Sequence, residues 1–295
     1  AGGTMRGVQL AGISNISGNN TVGLSAAGLV NITGDRTQGV IISGLTSIGG
    51  DNTSGLMISG FMNVTGNMAS GLHFSGAANI TGQSFGGLMA SGLLNVVGEH
   101  MNGLQIAGIA NITASKLNGV QIALCNYATQ ARGLQIGLVN YYKEDMKGFQ
   151  LGLVNANPDT RVQMMVYGGN ATPVNIGVRF KNQLFYTILG IGSMYQGLND
   201  KFSASASYRA GLSFTLYKGL SISGDLGYQH IEAFDNKDEV IPKRLYALQA
   251  RANLEYQFTR KFGIFATGGY GLTRFYNKSS NYDKGAIIEA GIVLF

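Results

Sequence analysis

The chain has 295 residues, 45% of them apolar and only 12% charged, with 45 glycines, 3 prolines, one cysteine and no tryptophan. Soluble domains carry about 25% charged residues and about 7% glycine, so this composition demands a special architecture. A mean hydropathy of +0.11 excludes disorder, and apolar runs of no more than five residues exclude a spanning helix, which needs ~20. Cys125 alone cannot build a disulfide framework and says nothing about compartment. The opening AGGTMRG shows no signal peptide, as expected of a mature exported form or of a chain never exported. The net charge of +6 comes without a basic run that could track a phosphate backbone, so no nucleic-acid partner is expected.

Residues 1–161 hold 7 of the 28 aromatics and a net charge of +1, whereas 162–295 hold 21 and +5. That step predicts two domains, 1–161 and 162–295. The first is repetitive. Seven 16-residue blocks align without a gap from MRGVQLAGISNISGNN to MNGLQIAGIANITASK, and three shorter ones follow, LNGVQIALCNYATQA, RGLQIGLVNYYKEDM and KGFQLGLVNANPDTR, each written at 15 residues. Column three is glycine from Gly7 to Gly148 and column eight is glycine from Gly12 to Gly108, marking unusual torsions or close stacking. Columns four, six, nine and twelve are apolar, as in Leu104, Ile106, Ile109 and Ile112. Sixteen residues cannot close a βαβ unit. The economical solution is a parallel β-solenoid of about ten coils of 15–16 residues, with two short strands per coil and a length of ~48 Å.

Column eleven is Asn15, Asn31, Asn63, Asn79, Asn95, Asn111, Asn126, Asn140 and Asn155, with Ser47 the exception. Stacked identical amides can bond along the axis, so a structural ladder is expected. Calcium solenoids need acidic residues in every repeat, and these repeats lack them. Met57, Met62, Met89 and Met101 are expected outward, and a coat so poor in charge predicts that one face is covered by lipid, by another envelope protein or by the second domain.

Residues 162–295 alternate with period two. In FSASASYRAGLSFTLY, Phe202, Tyr208, Leu212 and Phe214 lie on one face and Ser203, Ser205, Arg209 and Ser213 on the other; RLYALQARANLEYQF repeats the pattern. Long strands with one apolar, tyrosine-ended face predict an antiparallel transmembrane barrel, here of eight strands at 162–169, 173–181, 183–196, 202–217, 219–234, 244–259, 262–277 and 285–295. Lys181-Asn182, Lys218 and Arg260-Lys261 sit in tight turns expected to face the periplasm, and GLNDK, DNKDEVIPK and NKSSNYDK form longer external loops. Phe295, after GAIIEAGIVL, fits a closing strand of the kind that barrel-assembly machinery recognises.

The stretches GLQIGLVN (Gly133 to Asn140) and GFQLGLVN (Gly148 to Asn155), followed by RFKNQLFYTILG from Arg179 and ISGDLGYQHI from Ile222, resemble a family of Gram-negative surface-repeat proteins in which GLQLGLVN-type repeats precede an outer-membrane barrel. The resemblance implies location and architecture and carries no activity to any residue. The 16-residue blocks depart from that family's shorter repeat.

Arg209, Asp225, Arg251 and Glu255 fall on the non-lipid phase of three consecutive strands, with Arg179 and Glu289 as outer members, and are expected to form one lumen network. His73 is expected to lean outward and His100 to occupy a turn, without metal partners. Tyr195, Tyr217, Tyr228, Tyr256 and Tyr276 read as interface anchors. With no nucleophile, phosphate or metal motif, no catalytic residue, cofactor or metal is expected. The expected function is a non-enzymatic structural, scaffolding or binding component of the outer membrane; the alternatives are a lipid-modifying barrel enzyme centred on His230 and Glu232, or a narrow passive channel. Eight strands put the solenoid in the periplasm. Seven, with VQMMVYGG capping the solenoid, put it on the cell surface.

Overall fold

The computed structural model describes residues 2–182, 184–193, 202–234, 244–276 and 281–295, with Asn281 described in its backbone only. The chain forms two compact units, Ala1–Gly152 and Leu153–Phe295.

The first unit contains β1 (Met5–Ala11), β2 (Ser14–Ser17), β3 (Thr21–Ala27), β4 (Val30–Thr33), β5 (Arg36–Ser43), β6 (Thr46–Gly49), β7 (Asn52–Ser59), β8 (Met62–Thr65), β9 (Met68–Ser75), β10 (Ala78–Thr81), β11 (Ser84–Ser91), β12 (Leu94–Val97), β13 (His100–Ala107), β14 (Ala110–Ile122), β15 (Cys125–Ile136) and β16 (Val139–Leu151). They wind as a parallel solenoid in which each strand pairs with its counterpart one coil on: Gly23 lies opposite Gly39 and Asn79 opposite Asn95. The later coils are less uniform than their 15-residue transcription. Gly119 stands opposite Gly133, 14 residues on, and Gly133 opposite Gly148, 15 on. Column-three glycine is required by its backbone. Gly103 has φ +130°, and a Cβ there would lie 2.1 Å from the carbonyl oxygen of Gly87, so no other residue permits the 16-residue step at this spacing.

The inward phase of the solenoid differs from the expected one. Columns one, five, seven, eleven and thirteen are buried, whereas the apolar columns four, six, nine and twelve face outward: Leu10, Ile13, Leu45 and Ile109 are exposed. Met57, Met89 and Met101, expected outside, are fully buried, and of the four named methionines only Met62 stays at the surface, half-buried. His73, in column five between Met57 and Met89, is buried too. The interior is a polar ladder on the column-eleven side and a smaller apolar cluster of Ala69, Phe85, Met89, Val97, Met101 and Leu117 with their neighbours on the other.

The second unit contains β17 (Val154–Ala156) and a closed antiparallel barrel of β18 (Arg161–Gly169), β19 (Val174–Asn182), β20 (Phe185–Ser193), β21 (Ser203–Tyr217), β22 (Leu220–Ala233), β23 (Arg244–Thr259), β24 (Phe262–Phe275) and β25 (Asn281–Leu294). Despite its poor alternation, β18 pairs with β19 on one side and β25 on the other and completes the eight strands. Arg161 opposite Lys181, and Leu294 opposite Phe262, put the start of β18 and the end of β25 at the end that carries the three tight turns. The expected loops GLNDK and DNKDEVIPK, the first half of NKSSNYDK, and Tyr195 lie outside the described residues. Lys284 and its neighbours from residue 281 belong to β25.

The boundary between units falls before residue 153 rather than at 161. Residues 153–160 bond to the barrel: Thr187 donates to the Leu153 carbonyl at 3.0 Å, Asn182 donates to that of Asn155 at 2.6 Å, and Thr160 bonds the Asn182 side chain. These contacts explain the earlier division, since a segment that reads as the last repeat in sequence closes the tight-turn end of the barrel.

Candidate functional site

Among the described residues, the barrel interior holds three buried arginines and three buried carboxylates. Arg209 on β21 forks onto Asp225 on β22 through Nε and Nη2, at 2.8 and 2.7 Å. Tyr186 Oη and Asn253 Nδ2 donate to the same carboxylate, at 2.7 and 2.8 Å. Arg251 on β23 forks onto Glu289 on β25, both contacts at 3.1 Å, and Arg209 approaches Glu289 at 3.6 Å, linking the two pairs. Arg179 on β19 forks onto Glu255 on β23 at 2.6 and 2.9 Å and donates to Gln163 at 2.8 Å. Gly227 makes room for two arginine side chains, since a Cβ there would meet Arg251 Nη1 at 3.0 Å and Arg209 Cγ at 3.1 Å.

The expected four-residue network is therefore corrected in its pairing: Arg251 and Glu255 are not partners. Four residues along one strand are ~13 Å apart, beyond the reach of an ion pair. Each instead finds a charge on another strand, and the outer members Arg179 and Glu289 are those partners. Every lumen carboxylate is held by a bidentate guanidinium, so its lone pairs are committed to packing and fixed charge. Above and below this layer the lumen is filled by side chains, including Met165, Tyr167, Ile188 and Phe265 and, in a separate cluster, Ile231, Leu245 and Ala247.

The solenoid interior is built from neutral groups. Asn63 donates to Asn79 Oδ1 at 2.8 Å, Asn79 to Asn95 at 2.9 Å, Asn95 to Asn111 at 3.0 Å, Asn111 to Asn126 at 3.1 Å and Asn126 to Asn140 at 2.9 Å. Each amide also donates across the coil to a main-chain carbonyl, as Asn95 does to Ile106 at 2.8 Å. Asn15 and Asn31 form the same contact at 3.0 Å. At Ser47 hydroxyls relay the chain: Ser43 to Ser47 at 2.6 Å, Ser59 to Ser47 at 2.9 Å and Ser59 to Asn63 at 2.6 Å.

A second ladder was not anticipated. Gln121, Gln135 and Gln150 each donate to the preceding glutamine of the series that begins at Gln105, all at 2.8 Å. The signal was present in column five, whose last four members are all glutamine. It was hidden by the mixed upper half of that column, which runs Gln9, Ser25, Ile41, Met57, His73 and Met89. Burial holds His73 neutral, with its pKa lowered to about 4, and its ring meets Phe85 edge-on at 4.9 Å.

His230 and Glu232 do come together, at 3.3 Å, near the end of β22 away from the tight turns. Both hydrogen bonds of the ring are committed, Nδ1 to Tyr276 Oη at 2.7 Å and Nε2 to Glu232, and Arg244 holds Glu232 at 3.1 Å. Tyr228, Tyr246 and Tyr276 stack around them. Ser205, in the adjacent strand, turns its hydroxyl into the lumen to accept from Gln229 at 2.8 Å. The cluster has the composition of an interface anchor, aromatic bodies with polar tips.

No family model matches the sequence, and no curated protein is significantly similar to it. Among solved structures, the crystal structure of the N-terminal β-barrel domain of Pseudomonas aeruginosa OprF is similar at 17% identity and a TM-score of 0.33, over 45% of this chain and 93% of that one.

Proposed function

We propose that the chain is a non-enzymatic outer-membrane protein whose barrel lies in the bilayer and anchors the solenoid as a structural or binding element of the cell envelope. One observation carries the reading: the barrel is apolar outside and charged inside. Leu212, Phe214, Leu226, Leu248, Leu254 and Ile288 are exposed on its outer face, while the six lumen charges are buried in pairs. That partition is favourable only where hydrocarbon surrounds the barrel. The resemblance to repeat proteins fused to outer-membrane barrels supports the same location. Unheated protein in SDS should migrate faster than boiled protein, because all strand edges are paired. Equal mobility would sink the reading.

The tight-turn end is the periplasmic end in such barrels, and β18 starts there. This supports a periplasmic solenoid. Cysteines replacing Ser54 and Ser115 in a Cys125→Ser background should stay unlabelled in whole cells by a membrane-impermeant maleimide; labelling, with a periplasmic control silent, would place the solenoid on the cell surface. The filled lumen supports no conductance in planar bilayers. The saturated His230 ring supports an unchanged lipid A and phospholipid profile after His230→Ala.

A further inference from the structure

The outward face of the solenoid is divided by column. All eleven charged residues of 1–152 fall in columns fourteen to sixteen and two, among them Arg6, Asp51, Glu99, Lys116, Arg132 and Lys147. Columns four, six, nine and twelve carry no charge and, until Tyr127 and Tyr141 near the end, no polar side chain. They flank one turn of the coil, so the charged residues line one edge of the solenoid and a continuous apolar strip, represented by Leu10, Ile13, Leu45, Phe61, Leu93 and Ile109, lines the other. A strip running the length of ten coils far exceeds the few hundred Å² of apolar patch found on soluble monomers.

The backbone of that edge is closed. Leu45 N donates to Leu29 O at 2.9 Å, Phe61 N to Leu45 O at 2.8 Å, Ala77 N to Phe61 O at 2.8 Å, Leu93 N to Ala77 O at 3.0 Å and Ile109 N to Leu93 O at 2.9 Å. The charged edge is laddered in the same way, Asp51 N donating to Asp35 O at 2.9 Å and Glu99 N to Gln83 O at 2.7 Å, so the ladder follows from the stacking of the coils; on the apolar edge it leaves these amides served by the protein, as hydrocarbon requires. From column four to the column-nine turn is five residues, ~16 Å, which is about half of a ~30 Å hydrocarbon core.

We infer that the apolar edge of the solenoid is immersed in the acyl chains of one membrane leaflet, with the charged edge in water, so that the first unit is a monotopic membrane-embedded solenoid. This deepens the reading of the chain as a membrane protein. Protein partners are recognised by interfaces with roughly one hydrogen bond per 100–200 Å² and with aromatic and arginine anchors. The strip has no arginine and no hydrogen-bonding side chain in these columns before Tyr127, and its few aromatics, Phe61, Phe74 and Phe149, are scattered among aliphatic residues, which favours lipid over a second protein. The buried amides point the same way: in water the hydrophobic effect would drive the leucines inward and the asparagines out, and the solenoid repeats the inside-out partition of the barrel.

The test uses the full chain in vesicles of phosphatidylethanolamine and phosphatidylglycerol, with an environment-sensitive fluorophore on one cysteine at a time. The positions are native Cys125, which is exposed on the outward second strand of its coil, and, in a Cys125→Ser background, Leu93→Cys on the apolar edge, Asn102→Cys on the charged edge and Leu226→Cys on the barrel face. Acyl-chain nitroxide lipids should quench positions 93, 125 and 226 several-fold more than 102, and aqueous iodide should quench only 102. Quenching at 226 without quenching at 93 and 125 overturns the inference and leaves the barrel reading intact. Protection of 93 from both quenchers, the signature of a protein covering the strip, also overturns it. Loss of quenching at 226 alone would sink the barrel reading while the solenoid inference stands.

Discussion

The solenoid and the barrel both turn polar groups inward, yet one uses neutral amides and the other ion pairs. Symmetry explains the difference. In a solenoid each buried side chain stacks on its own counterpart, as Asn79 does on Asn95, so an interior residue must be complementary to itself. An amide is, having both donor and acceptor, whereas a column of like charges would repel at every step. In the barrel different strands face one another and opposite charges can meet, as Arg179 and Glu255 do across 76 positions of sequence. The one ionisable group inside the solenoid, His73, is held neutral.

The largest expected effect tests the barrel half of this contrast. Glu289→Ala strips Arg251 of its partner and Arg209 of a second carboxylate, and should destabilise the barrel by about 3–5 kcal/mol in urea unfolding from detergent micelles. Adding Arg251→Ala should recover part of the loss, because the orphaned charge is gone. Arg251→Ala combined with Glu255→Ala should be additive, since their partners differ; coupling between them would mean that the lumen pairs otherwise than described.

On the solenoid side the same contrast predicts an acid response traceable to one residue. The His73 pKa of about 4 in the folded chain lies below its ordinary 6.5. Between those values the unfolded chain takes up a proton that the buried ring refuses, so stability is full above pH ~6.5, falls as pH drops, and levels off near pH 4 at a loss of roughly 3 kcal/mol. His73→Met, matching its neighbours Met57 and Met89, should flatten that limb when solenoid unfolding is followed against pH. An unchanged limb would show that the ring finds a way to charge inside the coil.

Removing one rung of the ladder should cost less. Asn95→Ala leaves the Ile106 carbonyl and the Asn111 oxygen without this donor and Asn79 without one of its acceptors, at about 2 kcal/mol by chemical denaturation. Asn95→Ser should cost about half as much, because the hydroxyls around Ser47 already relay the ladder. Equal losses for the two substitutions would show that the amide's cross-coil bond dominates.

Much of this was legible in the residues. Column eleven announced its ladder because stacking makes sequence period and spatial neighbour the same thing, and the alternation in β21 and β23 placed Arg209 and Arg251 in the lumen. The phase of the solenoid was not legible. Apolar columns mark the inside of a water-soluble repeat and the outside of one facing something else, and periodicity alone is blind to that sign. Met57 and Met89 were misplaced for this reason. Arg179 and Glu289 were legible as outer members of the network but not who pairs with whom, because pairing across a closed barrel depends on register and shear, which no local pattern encodes: Glu289 lies 38 positions from Arg251.

The smallest expected effect asks whether self-complementarity is the rule that the ladder obeys. Ser47 interrupts eight buried asparagines of the first unit with a side chain one amide shorter, and two neighbouring hydroxyls, Ser43 and Ser59, close the gap. Ser47→Asn would let the introduced amide donate to Asn63 Oδ1 and to the Ile58 carbonyl, as Asn95 does to Asn111 and Ile106. If stacked amides are what holds the column, the substitution should stabilise the solenoid by up to about 1 kcal/mol, the net worth of one added hydrogen bond. Ser59 now donates to that same Asn63 oxygen at 2.6 Å, so the gain depends on its hydroxyl turning aside. Pairing Ser47→Asn with Ser59→Ala, as columns seven of later coils carry Ala107 and Ala123, separates the two contributions. A net loss in both variants would show that the hydroxyl relay is as good a ladder as the amides, and that the column tolerates any small group able to give and accept at once.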